Sequence, residues 1–301
     1  MAFRAGIVAV AGKPNVGKST LVNKIVGEKV SVVSGKPQTT RKPAEGIANF
    51  PHAQIILRDT AGIHAPKTKL GRAMVDLAMQ AIHSADLILW VVDVSHPADS
   101  EDKRLAKTVF DAVNDDPNRV VVALNKMDHL RPENVELHYG EYAALAKGAK
   151  MMYTNALTGE NVNKLCEILI QSLPEGEPFF DDPSVYTSEP VRGIVSELIR
   201  EQVLKHTRDE IPHAVAVRIE EWREPDAEHS LTLIRATLVV ERESQRPILI
   251  GHNGEMIKQI GSAARREIEA LIGAQVFLDL HVKVARDWRN SPIRLRELGL
   301  I

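Results

Sequence analysis

In the first half of this chain the apolar residues come in short unbroken runs, and in the second half they alternate with polar ones. Gly6 to Ala11 (GIVAVA), Ala53 to Leu57 (AQIIL), Leu87 to Val94 (LILWVVDV) and Arg119 to Leu124 (RVVVAL) have the length and branched apolar character of strands. Runs without alternation fit a parallel sheet covered on both faces. Helical spacing marks Thr20 to Val26 and Asn161 to Ser172, and a short strand-like segment, Lys150 to Tyr153, precedes the latter. Further on, Val191 to His206 reads as a helix, and Ala214 to Trp222 and Leu231 to Val240 alternate as half-buried strands. A helical run with Met256, Ile257 and Ile260 follows. Val276, Leu278, Leu280, Val282 and Val284 then alternate with Phe277, Asp279, His281 and Lys283, which predicts a one-sided antiparallel strand. Between the two rhythms, Leu173 to Pro190 carries four prolines and five carboxylates without periodicity. The pattern predicts an α/β domain at 1–173, a linker at 174–190 and a smaller α+β domain at 191–301.

The loop after the first predicted strand is Gly12-Lys13-Pro14-Asn15-Val16-Gly17-Lys18-Ser19-Thr20, which fits G-x-x-x-x-G-K-[ST]. Such a loop turns its amides inward around the oxygens of a polyphosphate, and its glycines let the backbone approach with no Cβ in the way. Lys18 would reach the β and γ phosphates, and the Ser19 hydroxyl would take one position on Mg²⁺. The following helix adds its N-terminal dipole.

Other segments complete the picture. The polar stretch Ser34-Gly35-Lys36-Pro37-Gln38-Thr39-Thr40-Arg41 lies where a nucleotide-sensing switch belongs, with Thr40 able to complete the Mg²⁺ shell. The strand at 53–57 leads into Asp59-Thr60-Ala61-Gly62, a carboxylate placed for the hydrated metal and a Gly62 amide placed for the γ phosphate. A second switch is expected from Ile63 to Leu70. Ile63 stands where a glutamine would position water, so unaided hydrolysis should be slow. The strand at 119–124 ends in Asn125-Lys126-Met127-Asp128. A buried Asp128 carboxylate would pair with the N1 and N2 donors of guanine and be left unpaired by adenine; sites of that kind discriminate by about 10⁴. Asn125 and Lys126 would brace the loop and pack on the base, and in Thr154-Asn155-Ala156 the Ala156 amide could reach the guanine carbonyl. A P-loop kinase or ATPase is disfavoured by Asp128.

Composition adds constraints. With 44% hydrophobic and 26% charged residues in 301, the chain is of ordinary globular type, and a net charge of -2 calls for no polyanionic partner overall. The single cysteine, Cys166, sits in a helical pattern and reads as a small buried residue in a reducing compartment. No apolar run approaches the ~20 residues of a membrane span. Met1 to Gly12 reads as the first strand and not as a signal peptide, so a cytoplasmic protein is expected.

In order, phosphate loop, switch threonine, D-x-x-G, N-K-x-D and the Asn155-Ala156 segment resemble a translation-factor-type P-loop GTPase with a mostly parallel sheet. The form G-x-P-N-V-G-K-S-T, with Thr39-Thr40-Arg41 and an apolar residue after D-x-x-G, is similar to the Era family. In the second half, the order helix, strand, strand, Gly251-His252-Asn253-Gly254, helix, strand resembles a type II KH domain, whose loop clamps a single-stranded nucleic-acid backbone. Arg208 to His213 and Val282-Lys283-Val284 with Asp287 to Asn290 also resemble the C-terminal half of that family. The resemblance implies a GTP-hydrolysing, monomeric switch that cycles between GTP and GDP, binds the 3′ end of small-subunit ribosomal RNA and acts in ribosome assembly. For Asn15 it implies a role in holding K⁺ in place of a catalytic arginine; a turn-stabilising asparagine is the alternative. Lysine is usual within the family's G-x-x-G, whereas His252 and Asn253 stand here. Residues 258–296 hold 8 Lys/Arg against 4 Asp/Glu, so Lys258, Arg265 and Lys283 are candidate phosphate contacts. The rival reading is a regulatory GTPase whose second domain docks on a protein or, peripherally, on an anionic membrane.

Overall fold

A strand whose residues are all apolar after the first must be covered on both sides, and β1 (Arg4–Ala11) is. In the computed structural model, which describes residues 2–33, 36, 39–63, 66–226 and 230–301, Val8 and Val10 face one core and Ala9 and Ala11 the other. Ser34, Gly35, Pro37 and Gln38 of the first expected switch and His64 and Ala65 of the second lie outside the described residues. In chain order follow α1 (Lys18–Val26), β2 (Ala44–Phe50), β3 (Ala53–Asp59), α2 (Lys69–His83), β4 (Leu87–Asp93), α3 (Ser100–Ala112), β5 (Val120–Asn125), α4 (Val135–Ala146), β6 (Lys150–Tyr153) and α5 (Val162–Ser172). The sheet order is β2-β3-β1-β4-β5-β6, parallel throughout except for β2, which runs antiparallel to β3. Leu21 and Val22 of α1 and Leu165 and Leu169 of α5 cover one face; Ile82 of α2, Val109 of α3 and Tyr142 of α4 cover the other. Cys166 is buried in the first of these layers, and burial pushes its thiol up to about 12, which leaves it inert.

The edge strand β2 escaped the sequence pattern, since AEGIANF mixes Glu, Gly and Asn with its apolar residues. Its outer edge is occupied by the segment read as a linker. The Ile47 amide donates to Tyr186 O at 2.8 Å, Thr187 Oγ1 to Glu45 O at 2.6 Å, and Asn49 Nδ2 to Val185 O at 3.0 Å. Gln54 adds bonds to Phe179 and Phe180. Residues 174–188 are thus a strap on the sheet, a backbone pairing that leaves no trace in side-chain periodicity. The chain divides into two compact units, 1–66 with 74–188, and 67–73 with 189–301.

In the second unit come α6 (Val191–His206), α7 (Ile211–Ala214), β7 (Ala216–Arg223), β8 (Thr232–Val240), α8 (Gln245–Ile250), α9 (Glu255–Ile272), β9 (Val276–Val284) and α10 (Pro292–Glu297). The sheet is β7-β8-β9, with Ile199 of α6 and Ile260, Ala264 and Ile268 of α9 in the core on one face. β9 does not run antiparallel, as the alternation suggested. It pairs parallel with β8, Val276 opposite Thr232. Alternation reports which face is buried and is silent on direction; the crossover through α8 and α9 sets the direction. No described helix is long and apolar enough to cross a membrane.

Candidate nucleotide site and nucleic-acid interface

The parallel strands deliver the phosphate loop, Asp59, Asp93 and Asn125 to the C-terminal edge of the sheet, where ligands of such folds bind. A Cβ on Gly12 would lie 2.4 Å from Val91 O, on Gly17 2.3 Å from Asn125 Nδ2, and on Gly62 2.7 Å from Pro14 N. These glycines are therefore required by close approach. Gly17, with φ of 99°, also opens α1. A cleft of about 280 Å³ is lined by Asn15, Lys18, Ser19, Thr40, Gly62 and Lys126 among others, and also by Val32 and Val33, which sequence reasoning had not placed there.

Lys18 is buried; its Nζ donates to Gly12 O at 3.0 Å and Lys13 O at 2.8 Å. Burial lowers its pKa to about 8, against the pull of the Asp59 charge. Three expected metal residues converge: Ser19 Oγ donates to Asp59 Oδ2 at 2.6 Å, Thr40 Oγ1 to the same oxygen at 3.1 Å, and the two hydroxyls are 3.1 Å apart. Burial pushes the Asp59 carboxyl above its usual range, and its Oδ1 has no hydrogen-bond partner. Two hydroxyls and a carboxylate with an orphaned buried oxygen form a hard oxygen donor set of the kind Mg²⁺ takes. Among the described residues no group of three or more His, Cys, Asp or Glu side chains could hold a metal.

At the other end, Asn125 is a brace. Its Nδ2 donates to Val16 O at 2.7 Å, and its Oδ1 accepts from the Ala156 amide at 2.9 Å and Thr154 Oγ1 at 3.3 Å. The Ala156 amide, expected to reach a guanine carbonyl, is thus directed to Asn125. Asn155 Oδ1 accepts from the amides of Leu157 and Thr158, folding the loop on itself. Asp128 is exposed and not buried, its side chain 37% accessible beside His129. The free protein therefore does not itself bury that carboxylate. Lys126 Nζ is fixed at 2.6 Å from Asp93 Oδ2; burial opposes ionisation of Asp93, but Lys126 and Ser95 outweigh it and lower its pKa. Asp93, like Asp59, is a carboxylate ending an apolar strand, a signal that could have found it.

In the second unit the G-x-x-G loop joins α8 to α9. At Gly251, φ is 75° and a Cβ would lie 2.6 Å from Met256 Cβ; Gly254, with φ of 80°, opens α9. Lys258 is exposed in the first turn of that helix, and Arg265 lies seven residues on, along the same face. Arg265 Nε donates to Glu269 Oε1 at 2.9 Å, so a neighbouring carboxylate offsets its charge. Lys283 is not brought to this loop. It is exposed between Val282 and Val284, which pack on the helices, so it projects from the opposite face of the sheet.

The model of a 50S ribosome-binding GTPase matches residues 7–126, and that of a KH domain matches 210–289. GTPase Era of Geotalea daltonii is 42% identical over 297 residues, covering 99% of this chain and 98% of the relative. GTPase Era of Thermotoga maritima is 43% identical over 303 residues, covering 100% and 98%. The chain belongs to the Era family of GTPases. Two solved structures are similar over 99% of each chain at a TM-score of 0.93: a variant of Aquifex aeolicus Era bound to GDP and AlF₄⁻, 37% identical, and Era in complex with MgGDPNP and nucleotides 1506–1542 of 16S ribosomal RNA, 38% identical. This Era-family chain is a GTPase with a C-terminal KH domain. Within it, Ile63 packs against the core that holds Ala9 and Ala11, so the position after D-x-x-G offers no polar group to a water molecule.

Proposed function

We propose that this Era-family GTPase uses its nucleotide state to control binding of the KH domain to the 3′ end of small-subunit ribosomal RNA during assembly of the small subunit. The observation that carries this reading is the junction, in one chain, of a guanine-type nucleotide site with a G-x-x-G loop held open by two positive-φ glycines at a helix N-terminus. Gly12 to Thr20 cradle the phosphates, Asp128 recognises the base, and Thr40 and Gly62 respond to the γ phosphate. Ser19, Asp59 and Thr40 are the residues that would hold Mg²⁺, which when bound neutralises charge on the phosphates. Lys18 shares that charge, and the Gly62 segment orders against it. Exposed Ile248, at the end of α8 just before the loop, offers aliphatic surface for bases. The chain works in the cytoplasm.

GTP hydrolysis in K⁺ buffer is expected to rise when a short RNA from the 3′ end of small-subunit ribosomal RNA is added, and to stay flat with a scrambled RNA. Absence of both binding and stimulation would move the reading to a protein or membrane surface as the partner of the second domain. We further assign Asn15, at φ of 64° on the cleft wall, to a K⁺ that assists hydrolysis in place of an arginine. Exchange of K⁺ for Na⁺ should slow turnover by about tenfold or more. Equal rates in the two salts would leave Asn15 as a turn residue.

A further inference from the structure

The side chain of Lys13 leaves the phosphate loop and ends on the N-terminus of α3, where Nζ donates to Asp102 Oδ2 at 2.7 Å and Asp99 Oδ2 at 2.9 Å. Its main-chain carbonyl accepts from Lys18 Nζ at 2.8 Å. One residue thus joins a helix cap to the lysine that serves the phosphates. Asp99 caps α3 through Oδ1, taking the amides of Glu101 and Asp102. Asparagine caps equally well, so capping does not call for the charge.

Asp102 is the more costly partner. Its side chain is 1% exposed and its Oδ1 has no hydrogen-bond partner. The other oxygen receives Lys13, the Asp99 amide at 3.1 Å and the Tyr142 hydroxyl at 3.4 Å. A neutral amide would serve the Asp99 amide as well, whereas a buried carboxylate lowers stability unless a cation meets it. That cation is Lys13.

We infer that Asp102 is a positioning residue for nucleotide binding: acting through Lys13, it holds the Gly12 and Lys13 carbonyls, and with them Lys18, in the arrangement that receives a polyphosphate. A loop already formed loses less freedom on binding, so the clamp acts on affinity. The inference rests on residues 12–20 being the phosphate cradle.

The test is a double-mutant cycle on the full chain, reading the Kd for fluorescent GDP and the KM and kcat for GTP. Asp102→Asn and Lys13→Met should each weaken GDP by about tenfold, the worth of a charge-assisted bond. The double variant should be no weaker than Lys13→Met alone, and Lys13→Arg should restore binding to within about twofold by spanning the same carboxylates. For Asp102→Asn the loss should appear mainly in KM. Multiplying effects in the double variant, or GDP binding unchanged in Asp102→Asn, would overturn the inference. If Asp102→Asn fails to fold, Asp99→Asn, exposed and an equally good cap, carries the same cycle. Lys18→Met separates the two levels: GDP binding as in the wild type would sink the cradle itself, while loss of binding there with an additive cycle would sink only the role of Asp102.

Discussion

Replacing Lys18 by methionine is expected to lower kcat/KM for GTP by about 10³, because two charge-assisted hydrogen bonds to phosphate oxygens, each worth roughly 1.5–3 kcal/mol, are lost together. The side chain is buried and, among the described residues, bonded to the loop carbonyls Gly12 O and Lys13 O, with its pKa lowered to about 8 by desolvation. An ammonium kept in that setting is under-solvated, and phosphate oxygens are better partners than carbonyls. Methionine matches the length and apolar stem and cannot donate. The fold should therefore persist, and thermal unfolding of the nucleotide-free protein should show a native-like transition. Activity within tenfold of the wild type would remove Lys18 from the phosphate site.

Asp128→Asn is expected to weaken GTP and GDP binding by about 10³ and to transfer preference to xanthosine nucleotides. The aspartate accepts two donors from the guanine edge; an asparagine repels one of them and instead offers a donor to the 2-carbonyl of xanthine. Because Asp128 is exposed in the free protein, the substitution should change stability by no more than about 0.5 kcal/mol. Equilibrium competition between GTP, ATP and XTP reads the exchange directly. Unchanged GTP affinity, or no gain for XTP, would remove the base assignment.

Much of the nucleotide site was legible because its residues fall in short segments fixed to strand ends. Gly12 to Thr20, Asp59 to Gly62 and Asn125 to Asp128 each announce their chemistry within a few positions, and the unbroken runs before them announce the buried parallel strands. Interactions between distant segments left no such mark. Lys13 meets Asp102 across 89 positions and Lys126 meets Asp93 across 33, and in each case the acid reads locally as a helix start or a strand end. The bond from the Ala156 amide to Asn125 Oδ1 is of the same kind, since only the fold shows Asn125 beneath that loop. In the second unit, side-chain alternation located β9 and its buried face but carried no information on whether it ran parallel to β8.

The strap at 174–188 bears on how the chain is made. Asn49 waits for Val185, 136 residues later, and Glu45 waits for Thr187, 142 residues later. During synthesis β2 leaves the ribosome long before its cover exists, and at about 5–20 residues per second the interval is roughly 7 to 28 seconds. Throughout that interval an unpaired strand edge is open to neighbouring nascent chains. The vulnerability of the nucleotide-binding unit is therefore set by the speed of translation, and it ends only when the strap emerges.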